Sequence, residues 1–212
     1  DYAVARPQAD GSTRFEPYVG TPRLPNLDYV ISADTPTRRG FNGSLFLLWG
    51  KDENFFEWSS ADIVFLNASG TWRPTEQLRL EGRYQLQSYQ RRSDGSYAGI
   101  RRIPRLRVEY QVTRPIFVRL IAEQDGNFQD TLRDDSRTNL PVFIRTATGY
   151  APALRASSRR LRLDWLFSYQ PTPGTVVFAG YGSGLANDDG PRPTRAWQRT
   201  RDGFFVKVSY LF

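Results

Sequence analysis

The chain has 212 residues, with 29 Lys plus Arg against 22 Asp plus Glu, for a formal charge of +7. It contains neither Cys nor His, which excludes disulfides, zinc–thiolate sites and every nucleophile system that depends on an imidazole base. The length suits one all-β domain better than two. Aromatic residues make up 14% of the chain, yet its mean hydropathy is −0.55. Many rings in a polar chain suit residue-by-residue alternation better than a thick apolar core. The longest apolar run covers residues 45–49, far below the roughly 18–20 residues a membrane helix needs. A spanning strand carries no such requirement.

In chain order, residues 1–41 form a poorly defined segment. Short β-like pieces at 13–19 and 28–33 are interrupted by Pro7, Pro17, Pro22, Pro25 and Pro36, and proline removes a ladder donor. There is no signal-peptide pattern at Asp1, so the sequence reads as a mature chain or a fragment. From residue 42 the pattern becomes regular. Strands are expected over 42–50, 60–72, 76–91, 99–113, 115–125, 158–169, 175–183 and 203–212. That makes about eight, several of them longer than the ~5–6 residues usual in soluble sheets. No stretch reads as an amphipathic helix. The connections alternate between short turns and longer loops, as they do in an outer-membrane barrel. The expectation is an all-β fold: over 42–212, an antiparallel transmembrane β-barrel or the C-terminal part of a larger one.

The faces carry the same message. Leu78, Leu80, Tyr84 and Leu86 alternate with Arg79, Glu81 and Arg83. Leu106, Val108 and Tyr110 alternate with Arg105, Arg107 and Glu109, and Leu161, Leu163 and Trp165 with Arg160, Arg162 and Asp164. With apolar faces outward, the interior would hold Arg79, Glu81, Arg83, Arg107, Glu109, Arg119, Glu123, Arg162, Asp164 and Lys207. In a closure of about eight strands these fill the interior as ion-paired packing; in a wider one they line water and favour anions. Over 175–183 two assignments stay open, since Val177, Ala179 and Tyr181 or Val176 and Phe178 could face lipid. Aromatics near strand ends, such as Trp72, Tyr89, Tyr110, Trp165, Tyr169 and Tyr210, suit interfacial girdles.

Acidic clusters at 130–135 and 187–190 match no full calcium loop and read as turns, so no metal and no cofactor is expected. The Arg-rich stretch 155–162 is either a solvated basic edge or a contact for lipopolysaccharide phosphates. The Arg residues are spread through strands rather than massed, which argues against nucleic acid. The final strand places Phe204, Val206, Val208, Tyr210 and Phe212 on one face. That pattern is the expected recognition signal for barrel assembly machinery.

The segments NFFEW, TWRPTEQLRLEGRYQLQSYQRRSDG, IPRLRVEYQVTRPIFVRLIAE, LRLDWLFSYQPTPGTVVFAGYG and DGFFVKVSYLF resemble the C-terminal region of a family of bacterial envelope proteins. In that family a carbohydrate-binding-module-like domain precedes an outer-membrane barrel. The resemblance covers most of residues 54–212. It implies a Gram-negative-type outer membrane, with lipid, lipopolysaccharide and other envelope proteins as partners. The sugar-binding-like domain is missing here, so glycan binding does not carry over, and no catalytic residues transfer. The expected function is non-enzymatic: a pore, transporter portion or membrane anchor. The alternatives are a lipid-modifying enzyme that works without His, or a soluble β-barrel ligand binder.

Overall fold

The computed structural model describes residues 1–135, 137–188 and 196–210. Strands dominate, all pairings are antiparallel, and the described residues contain no helix. A first, small sheet takes β1 (Tyr2–Pro7), β2 (Thr13–Pro17), β9 (Val142–Thr146) and β10 (Gly149–Pro152) in the order β10-β9-β1-β2. A second, 9-stranded sheet is built from β3 (Leu27–Arg38), β4 (Phe41–Asn54), β5 (Ser59–Trp72), β6 (Leu78–Arg91), β7 (Tyr97–Thr113) and β8 (Ile116–Gln129). It continues through β11 (Ala156–Thr172), β12 (Thr175–Asp188) and β13 (Gln198–Tyr210). Each strand of the long sheet pairs with its neighbour in sequence, except that β8 passes to β11 across the segment that supplies β9 and β10.

All eight strands expected from the alternation are present, most of them extended at the end away from the tight turns. The expected count of about eight becomes nine, because the sheet begins at Leu27 rather than near residue 42. Proline does not prevent β3 from pairing: its register with β4 shifts between Thr35 and Arg38, bracketing Pro36. β3 is an edge strand, where a missing donor is tolerated. The long connection after β8 is also shorter than alternation suggests, and it carries two strands of its own.

The strands define two ends. Arg39-Gly40, with φ of 50° and 75°, closes β3–β4, and Gly174, with φ of 89°, closes β11–β12. Such positive φ values in a two-residue turn match the twist of the strands they join. These turns, residues 73–77 and residues 114–115 lie at one end. The opposite, loop end holds residues 55–58, residues 92–96 and the small sheet. β3 and β13 both run from the loop end to the turn end and form the two edges; they are not paired with each other.

The apolar core lies at the loop end. Val4, Leu132, Val142 and Ala153 form one buried cluster, and Ala61, Ile63, Tyr89 and Ala98 another, so Tyr89 belongs to the core rather than to the expected girdle. Phe56, in the β4–β5 turn, packs against both. The turn also clasps the linker after β2: the Thr21 amide donates to the Trp58 carbonyl at 2.9 Å. A Cβ on Gly20 would stand 2.2 Å from the Trp58 Cβ. We therefore expect Gly20→Ala to loosen the small sheet while leaving the long sheet intact. Limited proteolysis should show earlier cleavage within residues 18–26 and an unchanged pattern in β5–β8.

Candidate functional site

Cross-strand register sorts the long sheet into two faces. One row runs Arg79, Glu109, Arg119 across β6, β7 and β8, and another runs Glu81, Arg107, Ile121, Asp164. A third runs Arg83, Arg105, Glu123, Arg162 and continues over Gly184 to Arg201. Lys207 stands opposite Phe178 on this same face. The ten expected interior charges thus share one side of the sheet. Register also settles β12: Trp165 opposes Tyr181, which opposes Phe204, so Val177, Ala179 and Tyr181 belong to the apolar face. Val176 and Phe178 belong to the charged one.

The charges form a lattice rather than isolated pairs. Arg79 lies 3.6 Å from Glu109 and 3.7 Å from Glu81, and Arg107 bonds Glu109 and lies 3.9 Å from Glu81. Arg105 meets Glu123 at 3.1 Å, Arg101 meets Asp125 at 2.7 Å, and Arg162 meets Asp164 at 2.6 Å. Arg83, Arg119 and Lys207 form no ion pair among the described residues. Partly exposed pairs of this kind contribute about 0–1 kcal/mol each. Their effect on an approaching ion, through the summed field, exceeds their effect on stability. Nothing in the lattice places a base beside a nucleophile.

The opposite face is apolar and exposed. Ile31, Phe41, Leu45, Trp72, Leu106, Tyr110, Leu120, Trp165, Tyr169, Val206, Val208 and Tyr210 all lie on it with large accessible surface. On strand after strand the apolar stretch ends toward the loop end at a polar residue: Lys51, Asp62, Ser88, Arg102, Gln124, Arg159, Ser183 and Asp202. Between the turn-end residue and that boundary the band is about 20–26 Å tall, taking about 3.3 Å per residue. Phe204, Val206, Val208 and Tyr210 share this face as expected, whereas Phe212 lies outside the described residues.

At the loop end sits a buried ionic centre that alternation did not reveal. Both the Arg91 and Glu57 side chains are 0% exposed. Arg91 Nε donates to Glu57 Oε2 at 2.9 Å, and Nη2 to Oε1 at 2.5 Å and to the Thr131 carbonyl at 3.0 Å. Nη1 donates to Asp130 at 2.6 Å and to Ser96 at 3.0 Å, so all five guanidinium donors are used. Glu57 also accepts from Asn54 Nδ2 at 2.9 Å and from the Arg133 amide at 3.0 Å. Asp134 accepts from Arg137 at 3.0 Å and from Thr138 at 2.8 Å, and Ser93 donates to Asp135. These bonds occupy the acidic cluster at 130–135 that sequence weighed as a calcium site. Part of the second cluster, Asp189-Gly190, lies outside the described residues. Among the described residues no group of three or more potential ligands gathers around one point.

The centre joins the two sheets. Tyr18 Oη donates to the Glu57 carbonyl, Arg137 stacks over the Tyr18 ring at 5.7 Å, and Arg133 bonds Asp94 at 2.7 Å. Burial, reinforced by the Asp134 charge, pushes the Tyr18 hydroxyl up to about 12. The Arg133 bond holds the Asp94 carboxyl well below the usual carboxylate range. The sequence clue to this centre was a carboxylate set among rings in Asn54-Phe55-Phe56-Glu57-Trp58. Arg91 offers a second clue: it occupies the charged face at a strand end where the core begins.

No family model, curated protein or solved structure matches the chain.

Two outcomes follow for the loop end. Arg91→Leu leaves Glu57 buried without its cation, a loss of about 3–5 kcal/mol. The double variant Arg91→Leu with Glu57→Leu should recover much of that loss in thermal unfolding. A raised tyrosine pKa stabilises the fold below its unfolded value near 10 and loses that contribution as pH rises toward 12. Stability of the wild type should therefore fall across that alkaline window, and Tyr18→Phe should flatten the fall.

Proposed function

We propose that the chain is a non-enzymatic outer-membrane β-barrel protein of a Gram-negative-type envelope, acting as a pore, transporter portion or membrane anchor. Its apolar face would meet lipid and its charged face would meet water. The observation that carries this reading is the apolar band, continuous across nine strands and bounded by a polar row on the loop side. Its height of about 20–26 Å matches the ~25 Å lipid-facing band of outer-membrane barrels. An exposed apolar surface this large is foreign to a monomer in water. Phe41, Trp72, Tyr110, Tyr169 and Tyr210 stand at the turn-end rim of the band, where interfacial rings are favoured. The reading includes membership of the envelope family that the segments resemble, and recognition of β13 by barrel assembly machinery.

Hydrocarbon does not tolerate unpaired strand edges, so β3 and β13 must be covered in the membrane. They run in the same direction. Direct closure would therefore pair them in parallel, whereas antiparallel closure needs a strand of opposite direction between them.

The test exploits adjacent residues on opposite faces. Val208 opposes Val177 on the apolar face, and Ser209 opposes Val176 on the charged face. Arginine on the lipid side costs about 2–4 kcal/mol at mid-membrane and less toward the rim, where Val208 stands two residues in from Tyr210. Val208→Arg should therefore deplete the protein from outer-membrane fractions while Ser209→Arg leaves its abundance near wild type. Equal loss from both, or a folded monomer in water without detergent, would overturn the barrel reading.

A further inference from the structure

One basic cluster belongs to neither the charged lattice nor the loop-end centre. Arg102 on β7 opposes Gly126 on β8, and Gly126 opposes Arg159 on β11. The three form a row on the apolar face, immediately above the band at its loop-end boundary. Two strand spacings separate the Arg102 and Arg159 backbones, about 10 Å, and the residue between them has no side chain. A Cβ placed on Gly126 would meet nothing closer than the Arg102 carbonyl at 3.8 Å. The resulting hollow has a volume of about 440 Å³ and is also lined by Arg155, whose guanidinium lies over the Phe128 ring at 4.8 Å.

Among the described residues, no carboxylate lines this hollow. Glu123 and Asp125 on β8 face the opposite side and are engaged by Arg105 and Arg101. Arg102, Arg155 and Arg159 are exposed and have no acidic partner among the described residues. Below the row, Tyr84 and Pro104 pair across β6 and β7 within the apolar band. A glycine inside a strand leaves room for a ligand to approach the backbone closely. Guanidinium forks match phosphate oxygens bidentately. A solvated basic edge would account for the charges but not for an open floor between them at this height.

We propose that Arg102, Arg155 and Arg159 around Gly126 form a binding site for the phosphate monoester of a membrane lipid. The headgroup sits on the glycine floor, and its acyl chains run down past Tyr84 and Pro104. This site rests on the barrel reading, because it needs the apolar face to meet lipid.

The test uses the full chain refolded into phosphatidylcholine vesicles, with either phosphatidic acid or phosphatidylglycerol as the minor component. Flotation with the vesicles is scored first for every variant. Lipid retained after detergent extraction is then counted by native mass spectrometry. Wild type should retain phosphatidic acid over phosphatidylglycerol. Arg102→Gln with Arg159→Gln, and separately Gly126→Glu, should weaken that retention roughly tenfold, the scale of one lost charge-assisted pair. Gly126→Gln, which fills the same space without charge, should weaken it less than Gly126→Glu. Arg201→Gln, on the opposite face, should leave it unchanged.

Flotation without a preference for phosphatidic acid, or equal loss from Arg201→Gln, overturns the site and leaves the barrel reading standing. Retention by Gly126→Glu equal to wild type overturns the site in the same way. Failure to float overturns both. Inorganic pyrophosphate binding in detergent that is lost in Arg102→Gln with Arg159→Gln, while that variant retains phosphatidic acid like wild type, would assign the arginines to a free anion and defeat the lipid assignment.

Discussion

Everything in the long sheet depends on nine strands keeping a two-residue period in phase. A slip of one residue in any pairing would move that strand's whole apolar set to the charged side. The cross-strand ion pairs resist such a slip. Arg79 with Glu109, and Arg105 with Glu123, meet only in the observed register. The lattice therefore contributes specificity more than stability: weak pairs repeated across neighbouring strands penalise each wrong alignment. The apolar face enforces the same register from the other side, because a displaced arginine would enter the band.

The loop end obeys different physics. There the period-two logic gives way to a core of small and aromatic residues around Arg91 and Glu57. A buried pair stripped from water repays its desolvation only when its remaining donors and acceptors are satisfied. Here five donors of one guanidinium reach four different partners drawn from the β4–β5 turn, the β6–β7 turn and the segment after β8. Arg91 is thus the joint between sheets, and Tyr18 and Arg137 extend that joint to the linker that follows β2.

The two regions differ in how much the sequence reveals. Alternation is local, so the strands, their faces and the ten shared charges could be read directly from residues such as Leu78 to Leu86. β3 was hidden because Pro36 looks like an interruption, and only its edge position makes that harmless. The small sheet was hidden for a deeper reason. Tyr2 pairs with Ile144, and Ala3 with Phe143, and no periodic pattern links residues so distant. Glu57 with Arg91 and Asp130 is likewise a meeting of three connections. The Gly126 floor was invisible until register set it between Arg102 and Arg159. The basic stretch 155–162, read as one unit, in fact splits between faces: Arg159 joins the polar boundary and Arg160 and Arg162 join the lattice.

The pairing of β1 with β9 also sets an order of events. Apart from β8 with β11, every neighbour pair in the long sheet joins consecutive strands, so those contacts can zip up as the chain becomes available. The small sheet must wait until residues 142–144 can return to residues 2–4, a loop whose closure carries the largest entropic cost in the chain. Residues 2–4 are then among the last to find their place. Until they do, Phe56 and the Arg91 centre stand uncovered, and a chain halted at that stage would leave the apolar residues of its loop end open to water.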